Sequence, residues 1–267
     1  MNRRFFIFLI ISLALAPCFA QQSLKPFKTI ESKAKKVKID VLNNIYLITD
    51  NKVEKYNFSH KTIVNYNFQI PDSEMIVDVS NPFKILIFSP NNYSLKYINN
   101  QMTESAKTIY LDRFTSDNIP LVCTSYDNCF WLFNASEKRI ERYNMSLTKT
   151  HQSSPIYLLS SEDFLPKHMV EYNEKLYLFI PNNGVLIFDK FAAFVKKIPI
   201  IFEKKSSFIN NQFFYIKGNS IMIYNTKTFE DFKLIEMENE IADFDINQKF
   251  LAILQTDGKL TIYEIVD

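Results

Sequence analysis

One pattern returns six times along this chain, and few folds accommodate it. Each copy has an apolar, aromatic-rich run, a short polar turn, and a second run that closes on an aromatic and then a polar residue. The copies occupy residues 45–57 (IYLITDNKVEKYN), 85–99 (ILIFSPNNYSLKYIN), 130–144 (FWLFNASEKRIERYN), 176–189 (LYLFIPNNGVLIFD), 213–225 (FFYIKGNSIMIYN) and 251–264 (LAILQTDGKLTIYE). Aligned on the closing aromatics Tyr56, Tyr97, Tyr143, Phe188, Tyr224 and Tyr263, the copies lie 41, 46, 45, 36 and 39 residues apart. A unit of this size cannot bury its own apolar face, so periods of about 40 residues signal stacked or circularly arranged repeats.

The three glycines of the chain support the alignment, because Gly184, Gly218 and Gly258 each fall in the turn between the two runs of a copy. The first three copies place Asp50-Asn51, Pro90-Asn91-Asn92 and Ala135-Ser136 there. Most of these residues tolerate positive φ or bond their own backbone in a tight turn. Further strand-like runs precede each copy, at 37–42, 75–79, 121–125, 168–172, 207–210 and 241–246. Others follow the first five copies, at 62–68, 107–111, 155–159, 195–200 and 232–235. Four strands per unit is the content of a propeller blade. The sixth unit has no following run, and residues 24–30 (LKPFKTI) have no unit of their own. The expectation is an all-β, six-bladed propeller over residues 21–267, with four antiparallel strands per blade and the last blade completed by the N-terminal strand. Pro26 is acceptable there, because proline is tolerated at sheet edges.

Residues 1–20 read as a secretory signal: Arg3 and Arg4, an apolar run, then Cys18-Phe19-Ala20 before Gln21. The run is short for a membrane span of about 20 residues. Leu15-Ala16-Pro17-Cys18 also resembles a lipid-attachment box, with Pro17 where that box wants a small residue. Without Arg3 and Arg4, the 31 basic residues become 29 against 29 acidic ones. A neutral chain lacks the basic footprint of a nucleic-acid binder. The lysines of residues 33–38 read as a solvated face or a charged strand edge. Cys123 and Cys129 flank a five-residue polar turn, and in an oxidising compartment this placement predicts a disulfide.

The inventory for catalysis is poor. His60, His151 and His168 sit in no catalytic motif, and no nucleophile elbow, zincin or phosphate-loop pattern occurs. No metal or cofactor is expected. Asp40, Asp78, Glu171 and Asp245 recur near the ends of first strands, at one mouth of a propeller channel. A carboxylate ring there would bind a cation or a basic peptide, whereas isolated carboxylates would cap the turns that follow. Tyr46, Trp131, Tyr177 and Phe214 hold equivalent positions, which suits packing between blades. Tyr93, Tyr126 and Phe164 are loop aromatics available for stacking.

The segments VDVSNPFKI (77–85), CTSYDNCFWLF (123–133) and IFD (187–189) resemble secreted β-propeller proteins of Bacteroidetes bacteria. A looser likeness, of fold alone, runs to envelope propellers that assist outer-membrane machines. The resemblance itself brings little function. The signal implies an exported protein, periplasmic or outer-membrane-associated, and a closed-repeat frame without catalytic residues suggests envelope or outer-membrane proteins as partners. The leading reading is a non-catalytic envelope interaction module, a rigid scaffold that docks onto a larger assembly. The alternative is a glycan- or small-ligand-binding propeller; a lyase or hydrolase on the channel face ranks third.

Overall fold

The second and third runs of each unit are apolar at nearly every position because both of their faces are covered. In the first unit Leu47 packs toward one neighbouring blade, while Tyr46 and Ile48 pack toward the other. Strands buried on both sides lose the usual polar alternation. The computed structural model describes residues 23–57, 62–113, 115–158, 165–202 and 204–266. The signal and lipid-box readings, His60 and Phe164 lie outside them.

The N-terminal strand is β1 (Ser23–Glu31). Blade one holds β2 (Lys36–Ile39), β3 (Ile45–Ile48), β4 (Lys52–Asn57) and β5 (Thr62–Asn67). Blade two holds β6 (Ile76–Asp78), β7 (Ile85–Ser89), β8 (Ser94–Ile98) and β9 (Ile109–Tyr110). Blade three holds β10 (Leu121–Thr124), β11 (Phe130–Asn134), β12 (Arg139–Tyr143) and β13 (Lys149–Gln152). Blade four holds β14 (His168–Tyr172), β15 (Lys175–Ile180), β16 (Gly184–Asp189) and β17 (Phe194–Ile198). Blade five holds β18 (Ser206–Ile209), β19 (Gln212–Lys217), β20 (Ser220–Asn225) and β21 (Glu230–Glu236). Blade six takes β22 (Ile241–Ile246), β23 (Phe250–Gln255) and β24 (Lys259–Val266), and its fourth strand is β1. The fold is thus a six-bladed β-propeller of four-stranded antiparallel sheets.

Every blade-to-blade interface carries its own apolar cluster, including the one between blades six and one. That sixth cluster joins Val37 and Ile39 to Ala252, Leu254 and Leu260, and it closes the ring. β1 runs antiparallel to β24 from the Ser23–Val266 pair to the Glu31–Lys259 pair, and shifts register between Pro26 and Lys28. The predicted proline at the edge is where this irregularity falls.

The three turn glycines all have positive φ, but they do not matter equally. At Gly184 φ is +108°, and a Cβ would meet the Ile198 carbonyl oxygen at 2.2 Å. At Gly218 φ is +60° and a Cβ would meet nothing within 4 Å. Gly184→Ala should therefore cost more than about 3 kcal/mol, because backbone must move. Gly218→Ala should cost about 1 kcal/mol, the ordinary penalty of a left-handed alanine. Urea unfolding midpoints of the two variants check the difference, and similar losses would refute the steric account.

The structure corrects two expectations. The outer strand of blade three is Lys149–Gln152, not residues 155–159, where Ile156–Leu158 forms a 3-10 turn. Asn144 reverses the chain early by accepting the Ser146 and Thr148 amides through Oδ1, with Leu147 at positive φ. Ile156 instead plugs the interface between blades three and four. The expected bridge between Cys123 and Cys129 is not formed; both are buried free thiols. Cys123 pairs across the hairpin with Trp131, and the Ser125 amide bonds the Cys129 carbonyl, so the two cysteines are offset by two residues in register. A cross-strand disulfide needs closer alignment than this diagonal provides. Burial pushes the Cys123 thiol well above its ordinary pKa, so it stays protonated.

Candidate functional site

Neighbouring strands run antiparallel, so turns between first and second strands emerge on the same face as turns between third and fourth strands. The turns from β2 to β3, β6 to β7 and β10 to β11 form a collar on that face around the channel. Their shape is set by the four carboxylates noted in the sequence. Asp40 is buried and its Oδ1 accepts the amides of Leu42 at 2.8 Å and Asn44 at 2.9 Å. Its Oδ2 accepts Asn44 Nδ2 at 2.7 Å and the Tyr46 hydroxyl at 2.8 Å. That hydroxyl is held protonated: burial and the Asp40 charge push its pKa far up. Here the carboxylate caps a turn.

The other three tie one blade to the next. Asp78 Oδ1 accepts the Ser80 amide of its own turn, while Oδ2 accepts the Thr124 amide at 2.8 Å and its hydroxyl at 2.6 Å across the blade boundary. Asp245 Oδ2 accepts the Ile39 amide at 2.8 Å, from blade six to blade one. Glu171 accepts Ser125 Oγ at 2.7 Å, the Tyr126 amide at 3.0 Å and the buried indole N–H of Trp131. Arg142 joins the same knot through Ser125 Oγ and the Tyr126 carbonyl, with its guanidinium over the Tyr126 ring at 4.7 Å. Tyr126 is thus covered by a cation. Asn247 completes the collar by donating to the Asp40 carbonyl at 2.8 Å and Asn43 Oδ1 at 2.9 Å. The four carboxylates do not converge on one point. Among the described residues no group of three or more His, Cys, Asp or Glu side chains is placed to hold a metal ion.

Held on this collar, three large apolar side chains of adjacent blades face solvent: Val41 (69% exposed), Leu42 (49%) and Phe83 (62%). Farther out on the same face stand Met145, Phe191 and Phe229, in turns between third and fourth strands. The turn from β2 to β3 owes its reversal to Asn43 at φ 65°, in the left-handed region that asparagine tolerates.

The opposite mouth of the channel has a different chemistry. A cavity of about 440 Å³ opens there, with walls that include Met75, Val77, Met169 and Phe179. Lys36, Lys38, Lys167 and Lys205 reach it from blades one, four and five, together with His168. Lys205 bonds Asp243 at 2.9 Å and Lys36 Nζ donates to the Met75 carbonyl at 2.8 Å. Burial lowers the pKa of both lysines. Burial, then the charges of Lys38 and Lys205, hold His168 well below the usual histidine range. Sequence reasoning missed this mouth. Residues 36 and 38 alternate with the buried Val37 and Ile39, and this alternation on an innermost strand was the available signal. The lysine run is therefore no outer edge: half of it faces the channel.

Of the remaining candidates, Tyr46, Trp131, Tyr177 and Phe214 are buried between blades. Tyr177 stacks on Phe208 at 4.5 Å and burial raises its pKa to about 12. Tyr93, at φ 48°, ends a 3-10 turn and leans on the cluster between blades two and three. His151 contacts Thr150 at 3.2 Å and the ring of Phe191. No helix among the described residues is long and apolar enough to cross a membrane.

No protein-family model and no curated protein sequence matches the chain. Solved structures do match in fold. A chain of the mitotic checkpoint complex superposes with a TM-score of 0.59 at 9% identity over 100% of both chains. Streptogramin B lyase gives 0.60 at 11% identity, covering 91% of this chain and 97% of that one. BamB from Moraxella catarrhalis gives 0.55 at 8% identity, covering 91% of this chain and 100% of its own. At such identities the likeness is one of fold alone.

Proposed function

We propose that this protein is a non-catalytic scaffold of the bacterial envelope that docks through its collar face onto a larger protein assembly. The carrying observation is the placement of Val41, Leu42 and Phe83 on turns that Asp40, Asp78 and Asn247 hold in one shape. Large apolar side chains on a preorganised frame lose little entropy on binding, which is what a recognition surface requires. The looser likeness to envelope propellers has a counterpart in BamB. A non-catalytic role is supported by the contacts of the described histidines: the His168 ring meets Phe179, and His151 meets Thr150 and Phe191.

The test is cross-linking in the native envelope, followed by native gel mobility. The wild-type protein should migrate in a large complex. The triple variant Val41→Asp, Leu42→Asp, Phe83→Asp should migrate alone with an unchanged unfolding temperature, because these side chains contribute nothing to the core. A wild-type protein that stays a lone monomer would sink the reading.

A further inference from the structure

We propose that the channel mouth opposite the collar is a binding site for a small organic anion with an apolar body, its carboxylate or phosphate head held by Lys38 and Lys167. The inference goes beyond docking, and it uses the other face of the ring.

The argument begins with charge. The cavity lining carries two carboxylates, and both are occupied. Asp243 Oδ2 accepts the Val37 amide at 2.7 Å and Oδ1 faces Lys205 at 2.9 Å. Asp78 spends its oxygens on Ser80 and Thr124. Lys35 and Lys204, at the rim, are paired with Asp50 and Glu240. Lys38 and Lys167 are left with no side-chain hydrogen bond or ion pair among the described residues, although both line the cavity. Several cations gathered in a partly dry cleft repel one another more strongly than in water. The burdens on Lys36, Lys205 and His168 include the charge of Lys38 in each case. An anion at the mouth would relieve all three.

A second observation points the same way. His168 sits inside this cavity with a ring contact to Phe179 at 5.3 Å and no hydrogen bond among the described residues. It is a half-buried polar group that lines the void, and a group in that position normally has a partner. The wall beside the lysines is apolar, with Met75, Val77, Met169 and Phe202. The volume of about 440 Å³ lies within the range of ligand pockets, roughly 300–1,000 Å³. Lysines beside apolar wall residues select an acidic head on an apolar body, and the positive sign of this mouth rejects amines.

The experiment is calorimetric titration of the purified protein with octanoate, octyl phosphate, octanol, octylamine and inorganic phosphate. The expected result is 1:1 binding of octanoate, octyl phosphate or both, at least tenfold tighter than octanol or inorganic phosphate, with no binding of octylamine. Whichever head binds tighter identifies the ligand class. Lys38→Gln should weaken that binding at least tenfold without lowering the unfolding temperature of the free protein, since Lys38 has no partner to lose. Lys167→Gln, on a different blade, should weaken it similarly. The His168 ring resonance should shift on adding the tighter anion. The proposal is overturned if none of the anions binds, if octanol matches them, or if both lysine variants keep wild-type affinity. The collar-face triple variant should bind octanoate or octyl phosphate like the wild type, so failure of docking and failure of this site are separable.

Discussion

Deleting β1 should lower the unfolding temperature by about 10–20 °C and make the purified protein self-associate. The strand is mostly solvent-facing, so its burial is not what is lost. What is lost is a ladder along nearly the whole length of β24, the packing of Phe27 on Phe250, and the contacts of Leu24 and Ile30 with the apolar clusters on either side of blade six. At about 1 kcal/mol net per ladder hydrogen bond, and fewer bonds at the irregularity beside Pro26, the loss is on the order of 5 kcal/mol. For a domain of this size each kcal/mol shifts the midpoint by about 2–4 °C. The bared edge of β24 is a template for pairing with another chain. Circular dichroism melts and size-exclusion chromatography read both effects. A synthetic peptide of residues 23–31 added to the truncated protein should restore the melt and the elution position of the full-length protein. A truncated chain that melts like the wild type would show that the ring does not depend on its clasp.

Asp40→Ala should cost about 3–4 kcal/mol, or about 10 °C. The substitution removes four hydrogen bonds at once and leaves the Leu42 and Asn44 amides, the Asn44 amide group and the Tyr46 hydroxyl without their acceptor in a site that is 1% exposed. Each buried polar group abandoned in this way costs about 1–3 kcal/mol, moderated here as water enters the cavity left by the carboxylate. The same change frees the turn that carries Val41 and Leu42, so complex formation should weaken along with stability. Asp245→Ala, which removes an acceptor from the Ile39 amide only, should cost less than half as much. Thermal melts of the two variants decide the point. Equal losses would mean that the Asp40 turn is held by something other than its carboxylate.

The blades were legible because inner strands are apolar on both faces and their closing aromatics recur at a fixed place. The clasp was legible because residues 24–30 (LKPFKTI) formed a strand-like run without a unit, while the sixth unit lacked its outer strand. The outer strand of blade three was not, because Lys149, Thr150 and Gln152 face solvent and Ile156 beyond them is the more hydrophobic choice. The carboxylates were found individually, yet their partners across blade boundaries lie 46 residues away for Asp78 and 206 away for Asp245, a distance that no local pattern encodes. The lysine-lined mouth was hidden for the same reason. Lys38, Lys167 and Lys205 become neighbours only when the ring closes, and each alone resembles a surface lysine.

Ring closure also sets an order in time. During synthesis β1 leaves the ribosome ahead of every blade, and β24 follows all of them. The two ends of the clasp, Ser23 and Val266, are 243 residues apart. Joining such distant segments costs roughly 5 kcal/mol of loop entropy in a fully flexible chain, and contacts so remote in sequence form slowly. Blades one to five can therefore assemble while β1 waits unpaired, and the clasp engages only after β24 has emerged. A nascent chain halted before β24 keeps a loose N-terminal strand and an unsealed interface on blade one, both visible to proteases. The seam in the ring thus makes the two end strands of the propeller depend on each other: neither is fully paired until both are present.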